Sequence, residues 1–152
     1  MSVEAFLDTG ILVAAVSSAR TEADRKRTAL ELIQQLDFGL SARVLEEFYV
    51  AVTERIRRPL SPEVAVALLD EYRVFPVVPT DYALVATTAE LSLRHRLAFR
   101  DAAAVAAAGA LDAPVLITDA LPDGARYDGV RVLNPFPPAQ GQVLDRSLRT
   151  YL

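Results

Sequence analysis

FLDTGILVAAV, residues 6–16, is an apolar run interrupted by a single carboxylate, Asp8. An unpaired buried carboxylate is costly, so Asp8 must reach water, a cluster of donors or a cation. The stretch divides at that residue. Residues 3–7 read as a short buried strand ending at Asp8, and residues 11–16 open a helix after Thr9-Gly10.

Working outward, TEADRKRTALELIQQL (21–36) places Ala29, Leu30, Leu32, Ile33 and Leu36 at helical spacing. GLSARVLEEFYVAVTERIRR (39–58) reads as one amphipathic helix capped by Ser41, with Val44, Leu45, Phe48, Val52 and Ile56 on one side. SPEVAVALLDEYR (61–73) carries Ser61 as N-cap and Pro62 at the first helical position. FPVVP (75–79) is a brief strand, and TDYALVATTAELSLRHRL (80–97) is another capped helix. FRDAAAVAAAGAL (99–111) is an alanine-rich helix with Asp101 in its first turn, and alanine on every side implies close packing. APVLITD (113–119) is a buried strand ending in Asp119, and GVRVLNPF (129–136) is a last strand. Residues 137–152 read as a proline-bearing tail ending in a short helix. Short apolar strands alternating with helices predict an α/β domain, a parallel sheet covered on both faces.

The 152 residues fit one domain with a proper core. Absence of cysteine excludes disulfides and thiolate zinc sites. No stretch approaches the roughly 20 apolar residues of a membrane span, and MSVEAF lacks the features of a signal peptide. The expectation is a cytoplasmic protein with no membrane partner. Net charge is −4, which disfavours general nucleic-acid binding. The basic residues are nonetheless grouped, Arg55, Arg57 and Arg58 in one set and Arg94, Arg96 and Arg100 in another. Only Lys26 is a lysine; that bias suits phosphate contact, but a GC-rich genome produces it too, and we favour the compositional origin.

Ligands of open α/β sheets sit outside the carboxyl ends of the strands, where Asp8 and Asp119 both fall. Asp101 opens a helix, whose dipole favours its charge. Glu47 falls on the semi-apolar side of its helix, while Glu46 points about 100° away toward solvent. Taken singly, Asp101 reads as an N-terminal helix cap, Asp119 as a turn residue before Pro122-Asp123-Gly124, and Glu47 as a solvated charge. Asp8 resists such a reading. Together, four carboxylates in one cleft repel one another unless a divalent cation lies among them, and oxygen-only ligands suit Mg²⁺ or Mn²⁺.

At these residues the chain resembles PIN-domain ribonucleases. FLDTGILVAAV resembles their opening strand, aspartate and helix; SARVLEEFYVAVT and LAFRDAAAVAAA resemble their second and third acidic elements; APVLITDALPDG with GVRVLNPF resembles their closing strand, acidic turn and last strand. The likeness runs from about Phe6 to Phe136 and is greatest to toxins of VapBC-type toxin–antitoxin pairs. It implies a three-layer α/β/α domain over residues 1–136 with a mostly parallel central sheet. It also implies metal-dependent endonucleolytic cleavage of RNA, a homodimer and a cognate antitoxin. Asp8, Glu47 and Asp101 match the family's acidic positions, with Asp8 and Asp101 as metal ligands. Asp119 takes the first place of a fourth, paired acidic position whose second place here is Ala120. Arg100 stands where a tryptophan is common. Lone His95 reads as a surface residue. An antitoxin's amphipathic segment is expected in a groove around Phe48, Val52 and Leu68.

Two other readings compete. A haloacid-dehalogenase-like phosphatase wants Asp-x-Asp after the first strand, whereas the chain has Asp8-Thr9-Gly10. A PIN-like scaffold that binds RNA or protein without cutting gains weight from Ala120.

Overall fold

A computed structural model describes residues 2–136 of the chain. The predicted tail, residues 137–152, lies outside the described residues. The first strand, β1 (Ala5–Leu7), is wholly buried and passes at Asp8 into α1 (Thr9–Val16). A 3-10 turn (Arg20–Glu22) leads into α2 (Ala23–Gln35). Next come β2 (Phe38–Ser41) and α3 (Ala42–Val50), which runs on as a π-helical segment, Ala51–Arg55. The widened turn is marked by the Ile56 N–H donating to the Ala51 carbonyl at 3.0 Å.

The rest alternates as predicted: α4 (Pro62–Tyr72), β3 (Val77–Val78), α5 (Tyr82–His95), α6 (Phe99–Ala110) and β4 (Val115–Ile117). A hairpin, β5 (Arg126–Tyr127) and β6 (Val130–Leu133), follows. Caps act where the sequence placed them. Ser61 Oγ accepts from the Val64 N–H, and Pro62 occupies the first helical turn, where no N–H is needed. Ser41 Oγ accepts from the Val44 N–H at 3.1 Å.

Two strands depart from the sequence reading. Residues 38–41 read as the approach to a helix, yet all four are buried strand. Gly39 hides the pattern: a Cβ there would lie 2.3 Å from a Leu111 side-chain carbon, so the absent side chain is what lets Leu111 close over the strand. β5 has no counterpart in the sequence reading. Its hairpin turns on Asp128 (φ 50°) and Gly129 (φ 85°), both left-handed, which Asp-Gly supplies at low cost.

The strands lie in the order β3-β2-β1-β4-β6-β5, parallel except for the β5–β6 pair. The chain thus begins mid-sheet, builds outward through β2 and β3, then crosses back to add β4 on the other side of β1. That reversal makes the β1–β4 boundary the switch point. Helices α1, α2 and α3 pack together, and α5 and α6 form a second group, with α6 also against β1, β2, β4 and β6. Ala102 to Ala108 of α6 are buried without a break, and side chains this small let the helix settle closely on the sheet. Phe6, Phe38, Phe48, Ile11, Leu12 and Leu116 are among the fully buried core residues.

Candidate metal and catalytic site

The switch point carries the first of the acidic residues. Parallel register pairs Leu7 with Ile117, so Asp8 and Thr118 stand side by side at the strand ends. The Asp8 N–H donates to the Ile117 carbonyl at 3.0 Å, and the Thr118 N–H to the Leu133 carbonyl at 3.1 Å. Asp8 is also the N-cap of α1: its Oδ1 accepts from the Thr9 N–H at 2.8 Å. Its Oδ2 accepts from the fully buried Thr118 hydroxyl at 2.7 Å, and the same hydroxyl accepts from the Ala120 N–H at 3.1 Å.

Those bonds do not offset the loss of water. Burial is the largest influence on the Asp8 carboxyl and raises its pKa above the ordinary 3.8, against the lowering by Thr118, the Thr9 N–H and Arg100. Glu47 adds to the rise by like-charge repulsion, which places its carboxylate within electrostatic reach of Asp8. Glu47 is half-buried and Glu46 exposed, as their helical spacing requires. The Thr9 hydroxyl donates to Glu47 Oε2 at 3.1 Å, tying α1 to α3 across the cleft.

Asp101 sits half-buried in the first turn of α6. Arg100, one residue earlier, brings this turn to the cleft by donating from Nε to Glu47 Oε2 at 3.1 Å. Among the described residues, the Asp101 carboxylate has no hydrogen bond or ion pair. Asp119 is exposed, but it leans over the start of α1, where a Cβ on Gly10 would come 2.9 Å from its Oδ1. Its Oδ2 accepts from Arg25 at 2.7 Å, and the Arg25 guanidinium lies over the Phe136 ring.

Sequence reading missed these arginines. Arg25 holds Asp119, while Arg43 and Arg100 flank Glu47, with Arg43 Nε 3.0 Å from Oε1 but too far off line for a hydrogen bond. Arg100, neutral toward the site in the sequence reading, is instead in contact with it. A periodicity signal existed for Arg43, four residues before Glu47 on the same helix; none existed for Arg25 or Arg100. Among the described residues, no three acidic or histidine side chains gather closely enough to enclose an ion.

The donor chemistry still fits a hard divalent cation. Every candidate ligand is a carboxylate oxygen, Asp8 has a raised pKa and Asp101 is unpartnered, while Glu47 already accepts cations on both oxygens. His95 lies elsewhere, bonded through Nε2 to Asp128 at 2.9 Å beside Arg94. Of the residues expected to line a groove, Phe48 and Val52 are fully buried in the core and only Leu68 is partly exposed. An apolar cleft of about 520 Å³ lies instead between Leu45, Tyr49, Leu69 and Val77.

Fold and cleft together define an α/β domain with an acidic site at the switch point of its sheet. More particularly, the chain belongs to the PIN-domain family, whose profile matches residues 5–120. No curated protein sequence matches it. Among solved structures it is similar to a toxin–antitoxin complex from Klebsiella pneumoniae, with TM-score 0.62 and 20% identity over 83% of this chain and 94% of that one. It is also similar to Mycobacterium tuberculosis VapC20, a Sarcin-Ricin loop cleaving toxin, with TM-score 0.60 and 21% identity over 74% and 86%. A third is VapBC2 from Rickettsia felis bound to a promoter DNA fragment, with TM-score 0.59 and 20% identity over 86% and 97%. At these identities the likeness is one of fold. Among the described residues, no helix is long and apolar enough to cross a membrane.

Proposed function

We propose that the protein is a metal-dependent endoribonuclease acting as the toxin of a toxin–antitoxin pair, with a cognate antitoxin and a homodimeric form. PIN domains of the VapC kind are generally nucleases, which supports the reaction class. The observation that carries the reading is Asp8: a carboxyl with a raised pKa, pinned by two donors at the switch point, with Glu47 in electrostatic reach and no ion-pair partner among the described residues.

Asp8 and Asp101 would hold Mg²⁺ or Mn²⁺, with Glu47 and Asp119 completing the shell or orienting water. A divalent ion held there would supply Lewis-acid chemistry toward phosphate and water. The chain's own part is positional. Thr118 fixes the Asp8 carboxylate through Oδ2, and the Thr9 N–H fixes it through Oδ1. The Thr9 hydroxyl steadies Glu47. Arg25 and Arg100, both partly exposed, would exchange their carboxylates for phosphate oxygens of RNA.

The second reading, a non-cutting scaffold, draws on the same arginines, which neutralise Glu47 and Asp119 without metal. Incubating purified protein with structured RNA in Mg²⁺ or Mn²⁺, with and without EDTA, separates the two. Cleavage that stops on chelation is expected; intact RNA in both ions would establish the scaffold.

A further inference from the structure

A second charged feature lies at the foot of α1 and the π-helical segment. Arg20, Arg55, Arg57 and Arg58 line a polar cavity of about 830 Å³, with Ser17 and Glu22 on its wall. All four arginines are exposed, and among the described residues none forms a side-chain ion pair or hydrogen bond. Glu22 accepts from the Ser17 hydroxyl at 2.5 Å and keeps its charge, so the cavity sets four guanidinium groups against one carboxylate. In a chain of net charge −4, four unpaired guanidinium groups around one cavity are a local reversal of sign. A positive concavity of this kind concentrates a polyanion.

Its place relative to the cleft is fixed by two helices. α1 starts at Asp8 and Thr9 and ends at Ser17, on the cavity wall. α3 carries Glu47 and continues through the π-helical segment to Arg55. Eight residues separate Thr9 from Ser17 on the cavity wall and Glu47 from Arg55 on its rim, which puts roughly 10 Å between the acidic residues and the cavity. We infer that the arginine cavity binds backbone phosphates of the RNA substrate a few nucleotides from the bond at the acidic site. This rests on the ribonuclease reading, and it gives an acidic protein its means of holding RNA apart from metal.

The test reads binding by fluorescence anisotropy in EDTA, where no cleavage intervenes. Two labelled single-stranded oligoribonucleotides are used, one long enough to span both regions and one that fills only the cleft. Arg55→Gln with Arg57→Gln and Arg58→Gln should weaken the long RNA at least about tenfold. It should also flatten its salt dependence by about two, at roughly 0.7 for each phosphate no longer neutralised. The short RNA, which reaches neither a metal nor the arginines, should bind weakly to the wild type and the variant alike. The corresponding triple Arg→Lys variant should keep the salt dependence, and circular dichroism should show the same melt for all, since the residues are exposed. An unchanged long-RNA affinity and salt slope would overturn the inference. So would polyglutamate binding as tightly as RNA with the same weakening in the variant, which would assign the cavity to an acidic protein segment. RNA held by the arginines but never cut would instead defeat the nuclease reading and leave this one standing.

Discussion

Asp8 and Asp119 end neighbouring parallel strands, and by strand-end position alone they are equivalent. In the fold they are not. Register sets Asp8 beside Thr118, so Asp119 lies one residue further out. Asp8 is half-buried, held by two donors, and its carboxyl is pushed toward the neutral form by burial. Asp119 is exposed and neutralised by Arg25. A one-residue offset decides which carboxylate has no ion-pair partner among the described residues and which already has one. The difference teaches that strand-end position selects candidates, but register ranks them.

The largest test of that ranking is removal. Asp8→Ala and Asp101→Ala should each lose RNA cleavage by more than about 100-fold, beyond the 10–100-fold typical of residues that only support a metal ligand. Glu47→Ala should also lose activity while Glu46→Ala, one residue away on the exposed side, should not. Wild-type rates in folded Asp8→Ala would end the comparison and the site with it.

Thr118→Val comes next. It removes the hydroxyl that lowers the Asp8 pKa, so the acidic limb of the rate–pH profile should move to higher pH. Activity should fall about 10–100-fold. A profile that does not move would show that Asp8 ionisation is not what the rate reports.

Asp119→Ala should cost about tenfold or less, at the lower end of that range. Gly10→Ala should imitate it, since the added methyl meets Asp119 Oδ1 and the carboxylate must swing aside. A loss for Asp119→Ala as deep as that for Asp8→Ala would erase the ranking.

The smallest effect is on stability. Because the folded-state pKa of Asp8 is raised, protonation favours the fold. That contribution is complete below the unfolded value near 3.8 and is lost as pH rises through the raised one. Metal-free Asp8→Asn should therefore melt slightly higher than wild type at neutral pH, and the gain should vanish on acidification. Mg²⁺ or Mn²⁺ should raise the wild-type melting point, by the equivalent of about 2.7 kcal/mol at 100 times the dissociation constant, and should leave Asp8→Asn unmoved. A saturable rise in both proteins would take Asp8 out of the metal site.

The parts legible in sequence are those with an unbroken physical signal. The apolar runs ending at Asp8 and Asp119, the Ser61-Pro62 helix start and the alanine face of α6 each have one structural solution, and the fold adopts it. β2 is illegible because Gly39 and Ser41 dilute the apolar pattern, and the reason for the glycine, Leu111, is 72 residues away. The β5–β6 turn does carry its sign, Asp128-Gly129, but two-residue strands beside it give no period to read. In the site, backbone position announces the acids. Their arginine partners come from helices whose approach is set only by tertiary packing, so no local spacing marks Arg25 or Arg100.

Both edges of the sheet are short: β3 and β5 span two residues each, and β5 offers an exposed Arg126. Long flat edges invite a foreign strand to add itself and start a polymer. Here an incoming chain would find two residues of ladder on one side and a guanidinium on the other. For a sequence that is 52% hydrophobic, this leaves self-association to side-chain surfaces rather than backbone pairing. Copies made in quantity would then meet through faces that can part again, not through growing β-structure that cannot.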